Sequence, residues 1–216
     1  FDIPASMWFM YENTVQVYSS TEISSVDGHA KLLTTAANSE LKLESRECPR
    51  YQPNRGHLVS TAGWFPNKTS DGIREWGLIN DFNGVFFRLK SDGLLYAVIL
   101  SDGVETENLI PAKDLPVGFD VEMNNIYDIQ FQWRSAGNYK FFIGDASTGT
   151  SKLVYTFNHL NLFQKVSIVN PALPIGFRAE RITQDVEMNI GCADITSENG
   201  TTDNEQYSSA YAEGVS

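Results

Sequence analysis

From residue 127 the chain alternates strictly: Tyr127, Ile129, Phe131 and Trp133 are aromatic or apolar, and Asp128, Gln130, Gln132 and Arg134 between them are polar. A two-residue period sends one set of side chains to a buried face and the other to water, as in an extended strand packed on one side. The same reading gives strands over 139–143, 153–157, 175–181 and 186–192. Between residues 83 and 100 the runs "GVFFRL" and "LLYAVIL" are apolar on both faces, which suits central strands of a sandwich. Asn83-Gly84, Asp92-Gly93 and Asp102-Gly103 separate strand-like runs, and such dipeptides supply the positive φ angles of tight hairpins.

Residues 74–107 therefore read as a four-strand meander and 126–157 as a three-strand one, with further turns at 135–138 and 147–149. Two longer connections, 108–125 and 158–174, contain prolines and no amphipathic helix. Many short strands with long returns predict an all-β fold, an antiparallel two-sheet sandwich of jelly-roll type with extended N- and C-terminal arms. The expected organisation is an N-terminal arm and first strands over 1–40, a β-sandwich domain over 41–193 and an acidic polar arm over 194–216.

A length of 216 residues suits one large domain. The 16 Lys+Arg against 27 Asp+Glu give a net charge of −11, unevenly spread, because no basic residue follows Arg181. Excess acid argues against nucleic acid or an anionic membrane surface as partner, since phosphate neutralisation needs clustered Lys and Arg. No apolar run approaches the ~20 residues of a membrane-spanning helix. The start carries no basic n-region, so no signal peptide is expected, and beginning at Phe1 reads as truncation or processing. Cys48 and Cys192 are too few and too far apart for a disulfide framework or a zinc site, and both are expected to be small buried hydrophobes. The repeated "DVEMN" at 120–124 and 185–189 has unmatched flanks and reads as coincidence.

Chemistry-bearing motifs are sparse. His29, His57 and His159 have neither HxH nor HExxH spacing, and no GxSxG elbow or glycine-rich phosphate loop occurs. A glycosidase needs two convergent carboxylates, and the pairs available are Asp120/Glu122 and Asp185/Glu187. Asp185 and Glu187 alternate with Val186 and Met188, the pattern of a solvated strand face. Trp64, Trp76 and Trp133 offer sugar-stacking platforms, although core burial is the commoner use of tryptophan. The sequence therefore predicts no catalytic residue, metal or cofactor.

The stretch 50–103, "RYQPNRGHLVSTAGWF" followed by "DGIREWGLINDFNGVFFRLKSDGLLYAVILSDG", orders a Tyr-x-Pro turn, a strand, Asn-Gly, Phe-Phe and an apolar strand. Together with "IYDIQFQWRSAGNYKFFIG", "TFNHLNLFQKV" and "NPALPIGFRAE", it resembles the β-sandwich domain of virion structural proteins of tailed phages and some large DNA viruses. Asn54 stands where that pattern has Gly, and Ile99-Leu100-Ser101 lacks its Arg before Ser. The resemblance, over roughly 46–182, implies a non-enzymatic virion component: capsid-decorating, fibre or tail-associated, homo-oligomeric, and touching other virion proteins. The expected contacts are the N-terminal Phe1, Ile3, Met7, Trp8 and Phe9, and Tyr207 and Tyr211 in the acidic tail. The alternative is a carbohydrate-binding or host-adhesion domain whose partner is a host-surface glycan.

Overall fold

A computed structural model describes residues 8–12, 15–17, 23–35, 39–49, 56–132, 138–145, 147–158 and 167–197. Among these residues fifteen strands form two antiparallel sheets. The first sheet has eight strands: β1 (Trp8–Glu12), β2 (Val15–Val17), β5 (Glu40–Ser45), β7 (Ile73–Ile79), β8 (Gly84–Leu89), β9 (Leu95–Ser101), β10 (Val104–Leu109) and β14 (Ile175–Glu180). Their spatial order is β10-β9-β8-β7-β14-β5-β1-β2. The second sheet has seven: β3 (Ile23–Val26), β4 (His29–Thr34), β6 (His57–Trp64), β11 (Asn125–Phe131), β12 (Asn138–Asp145), β13 (Thr150–Asn158) and β15 (Val186–Ser197). Their order is β13-β12-β11-β6-β15-β4-β3. Neighbours far apart in sequence, such as β14 between β7 and β5, give the crossovers of a jelly roll. The all-β sandwich expected from the sequence is the fold observed.

Both meanders are present, as β7–β10 and β11–β13. The Asp102-Gly103 turn has positive φ at both residues, 51° and 76°. Asn83-Gly84 works differently: Gly84 is already the first residue of β8. The turn is shaped instead by Asn80, whose Oδ1 accepts the N–H groups of Phe82 (2.9 Å) and Asn83 (2.8 Å). The connection after β10 carries one short 3-10 helix, Ala112–Asp114. No helix among the described residues is long and apolar enough to cross a membrane.

The interior between the sheets is aromatic. Trp76 packs on Phe65 (centroids 4.1 Å), Phe87 (5.7 Å) and Tyr127 (5.0 Å), and Phe87 meets Phe141 edge-on at 5.0 Å. These tilted, stacked and edge-to-face contacts add to the burial of large rings. Phe86 and Phe87 are adjacent in β8 and so point to opposite faces of it. Phe87 faces the second sheet, and Phe86 points away from it, into a small outer cluster with Ile79, Val98 and Leu100.

Strands reach into both terminal stretches of the chain. β1, β3 and β4, within the stretch read as arm and first strands, are integral to the two sheets. β15 runs through the boundary at 193, pairing Asp194 with Ser60 and Ser197 with His57. Cys48 and Cys192 are both exposed free thiols, not buried hydrophobes. For Cys192 the cause is a bulge between Ile190 and Cys192, which turns to the outside a position that strict alternation would place inside.

Candidate functional site: the outward face of the eight-stranded sheet

Because directly paired residues share a face, the register places Tyr96, Arg88, Glu75, Arg178 and Lys42 in one row across β9, β8, β7, β14 and β5. The next row holds Glu107, Val98, Phe86, Gly77, Gly176 and Glu44. Both rows point away from the second sheet, where water would ordinarily favour full exposure. Yet Phe86 and Val98 are 0% exposed, and Arg88, Lys42 and Arg178 are buried too. The outward side chains therefore cover one another instead of splaying into solvent.

Arg88 is the hub. Its Nε donates to Glu75 Oε1 at 2.7 Å, Nη1 to Glu107 at 2.7 Å and Nη2 to Glu105 at 2.7 Å. Its guanidinium lies 5.4 Å from the centroid of the Phe86 ring, so the charge roofs an apolar floor. Lys90 also binds Glu107 and sits 4.5 Å from the Tyr96 ring centroid, while the Tyr96 hydroxyl donates to Asp92 at 2.7 Å. A second knot lies across the sheet. Arg178 contacts Glu44 (3.0 Å) and Asp81 (3.2 Å), and Lys42 reaches Asp81 at 2.8 Å. Asp81 belongs to the β7–β8 turn, beside Phe82, which is 64% exposed.

The charges respond to these contacts. Burial pushes the Glu75 carboxyl above its ordinary value, because Arg88 divides its attraction among three carboxylates and Glu75 is the deepest. The Arg88 hydrogen bond holds Glu105 below its usual range, and the Lys42 hydrogen bond does the same for Asp81. The hydrogen bond to Asp92 lifts the Tyr96 phenol to about 12. Among the described residues no group of His, Cys, Asp and Glu is arranged to hold a metal ion. What the face offers is a set of donors and acceptors already oriented by one another, with spare carboxylate lone pairs and two aromatic surfaces.

The residues singled out from the sequence fall elsewhere. Trp8, assigned there to a neighbouring chain, is buried in this chain's own core with its ring 6.1 Å from Phe177. Phe9 pairs through its backbone with Glu44 in β1–β5. Phe1, Ile3, Met7, Tyr207 and Tyr211 lie outside the described residues, as do Trp133 and His159. His57 is buried and stacked on Phe131, its Nδ1 2.9 Å from Ser197 Oγ. Asp185 pairs with Arg181 (3.4 Å) in a loop, and Glu187 pairs with Lys31 (2.9 Å) on the outside of the other sheet. Asp120 holds Lys68 Nζ (3.1 Å), and Glu122 accepts the Lys68 N–H (3.1 Å). Neither carboxylate pair converges in a cleft. A cavity of about 270 Å³ opens at one end of the sandwich among Leu89, Leu95, Leu109, Phe119, Lys68 and Asp120.

The sequence signal for the outward face was a lone arginine in an apolar run, Arg88 in "GVFFRL", followed by the alternating Glu105 and Glu107. An arginine at a position flanked by core residues needs local carboxylates, and these two sit at the required two-residue spacing.

No family model and no curated protein matches the chain. Solved structures do. A β-1,3-glucanase from Mycobacterium marinum has a TM-score of 0.61 at 10% identity, over 90% of this chain and 93% of that one. The Emp46p carbohydrate recognition domain in its metal-free form has a TM-score of 0.54 at 12% identity, covering 88% of each chain. A chain of botulinum neurotoxin type C, whose cell entry depends on interaction with two ganglioside molecules, has a TM-score of 0.52 at 12% identity. It matches over 93% of this chain and 46% of its own, so the present chain spans about half its length. At such identities the likeness is one of fold alone: a jelly-roll β-sandwich.

Proposed function

We propose that this chain is a non-enzymatic carbohydrate-binding module that takes a neutral glycan on the outward face of its eight-stranded sheet. The observation that carries the reading is the Tyr96–Arg88–Glu75–Arg178–Lys42 row, a layer of fixed donors and acceptors on the outside of a sheet in which the three cations are buried and Tyr96 and Glu75 half-buried. A sugar hydroxyl both donates and accepts, so it can bridge a carboxylate and a guanidinium that are already in place. Tyr96 and the exposed Phe82 supply faces for the apolar C–H side of a pyranose. Carboxylates outnumber cations here: Glu44, Glu75, Asp81, Asp92, Glu105 and Glu107 stand against Lys42, Arg88, Lys90 and Arg178. That balance disfavours sialylated and other anionic glycans.

The neutrality of the expected ligand separates this chain from fold neighbours described with gangliosides or a sialylated ligand. The absence of catalysis is part of the proposal, and its support is that Glu75, Glu105 and Glu107 are each engaged by Arg88. The fold neighbours favour glycan binding over the particle-joining role implied by the sequence resemblance. The two ideas meet if the chain is a host-adhesion domain of a virion.

The test is calorimetric titration with neutral β-1,3-gluco-, cello-, manno- and galacto-oligosaccharides and with sialyllactose. Binding of at least one neutral series is expected, with Tyr96→Ala weakening it about tenfold, the scale of one aromatic contact. No neutral binding, or an affinity indifferent to Tyr96→Ala, would refute the reading.

A further inference from the structure

Three tryptophans fall within the described residues, and two of them, Trp8 and Trp76, are core residues. Trp64 is different. It closes β6 half-buried on the outer face of the seven-stranded sheet, opposite the site described above. The register sets it in a line: Trp64 pairs with Asn189 in β15, Asn189 with Lys31 in β4, and Lys31 with Ser24 in β3. An indole, an amide, an ammonium group and a hydroxyl thus share one face across four strands, a span of about 14 Å at ordinary strand spacing. His29 flanks the indole with ring centroids 4.6 Å apart. The two rings meet over β15, the strand that lies between β6 and β4.

The polar part of this line is rigid. Glu187 Oε1 accepts from Asn189 Nδ2 at 2.8 Å and Oε2 pairs with Lys31 at 2.9 Å. From the interior, Arg74 Nε donates to the Glu187 carbonyl at 2.9 Å, so the residue is pinned from both sides of the sheet. Lys31 and Glu187 cancel each other's charge, which leaves an electrically neutral platform. A charged ligand would have to break that pair, while an uncharged polyhydroxylated one can use the free lone pairs of the carboxylate and still cover the indole.

We propose that the Trp64–Asn189–Lys31 line, with His29 and Glu187, is a second binding platform for a neutral linear glycan of two to three sugar units, on the sheet opposite the first. It shares only the ligand class with the function proposed above, and it makes the module two-faced, able to bridge two glycan strands.

The experiment follows the indole N–H resonances of the full chain, with Trp64 assigned through Trp64→Phe, during titration with a neutral β-1,3-gluco-hexasaccharide and then with cello-, manno- and galacto-hexaoses. At least one is expected to move the Trp64 resonance saturably, in wild type and equally in Tyr96→Ala. Glu187→Gln should weaken that response several-fold with the fold intact by circular dichroism. A Trp64 resonance unmoved by every neutral hexasaccharide overturns the inference. A response that vanishes in Tyr96→Ala also overturns it, since Trp64 would then be reporting the other face. A response that persists while Tyr96→Ala leaves all affinities unchanged upholds this platform and sinks the first one.

Discussion

Arg74 donates its Nε–H to the backbone carbonyl of Glu187 at 2.9 Å, so a side chain of the eight-stranded sheet holds a strand of the seven-stranded one. The same guanidinium reaches the carbonyls of Pro66 (2.8 Å) and Asn67 (3.0 Å) and Ser70 Oγ (2.9 Å), fixing the loop between β6 and β7. It is 0% exposed and bonds no carboxylate. Burial pushes it down to about 10, which leaves it charged at neutral pH. A buried charge of this kind is tolerable because four polar acceptors surround it and the nearby Glu122 and Glu187 carboxylates attract it.

Replacing Arg74 with Met keeps the apolar stem and strips those acceptors of their donor. The expected loss is about 3 kcal/mol, the cost of leaving buried polar groups unpaired. Urea unfolding checks it. Because the Glu187 carbonyl is one of the abandoned acceptors, the indole environment of Trp64 should shift in the same variant, and an unchanged unfolding midpoint would show that the loop does not depend on Arg74.

Gly77 lies in β7 with φ at +148°, and a Cβ there would stand 2.7 Å from the Val85 carbonyl oxygen and 2.8 Å from the Phe86 Cα. Backbone atoms of a central strand cannot retreat, so Gly77→Ala should cost about 3 kcal/mol. Gly118 also has positive φ, +76°, but nothing lies within 4 Å of its absent Cβ. Gly118→Ala should therefore cost only about 1 kcal/mol, the conformational part alone. Thermal unfolding of the two variants side by side separates close approach from backbone preference, and equal losses would contradict the argument.

Trp8 offers a direct choice between core and interface. Its ring packs on Phe177, and its carbonyl accepts from Arg46 Nε at 3.2 Å. Trp8→Ala should lower the stability of the dilute single chain by about 3 kcal/mol, as large-to-small changes in cores do. If the unfolding midpoint stays put and only self-association changes, Trp8 serves a neighbour after all.

The parts of this fold legible in the sequence were those with local causes. Tyr127, Ile129 and Phe131 announce their strand by alternation, and Asp102-Gly103 its hairpin by the φ angles such residues tolerate. The outward face was not legible, because its contacts are non-local: Arg178 meets Glu44 across 134 positions and Lys42 meets Asp81 across 39. Charges that close over Phe86 look, in sequence, like ordinary solvated positions. Cys192 shows a second kind of failure. Val186, Met188 and Ile190 point inward as alternation requires, and one bulge residue then reverses the phase for the rest of β15.

The outward face should also leave its mark on the pH dependence of stability. Asp81 and Glu105 are held below their ordinary values by hydrogen bonds from Lys42 and Arg88. Their contribution is fully present above the unfolded-chain values of about 4 and is lost as pH falls through the lower folded ones. Glu75 acts in the opposite sense. Burial raises it above 4.5, so the folded chain binds its proton more readily than the unfolded chain does. Between that raised value and 4.5, stability should therefore increase as pH falls, before the other carboxylates reverse the trend. Urea midpoints measured from pH 7 down to pH 3 should pass through a shallow maximum on the acid side of neutrality. In Glu75→Gln the rise should disappear and the acid loss below about pH 4 remain. A rise of the same size in the variant would assign it to another group and remove Glu75 as the buried member of the Arg88 cluster.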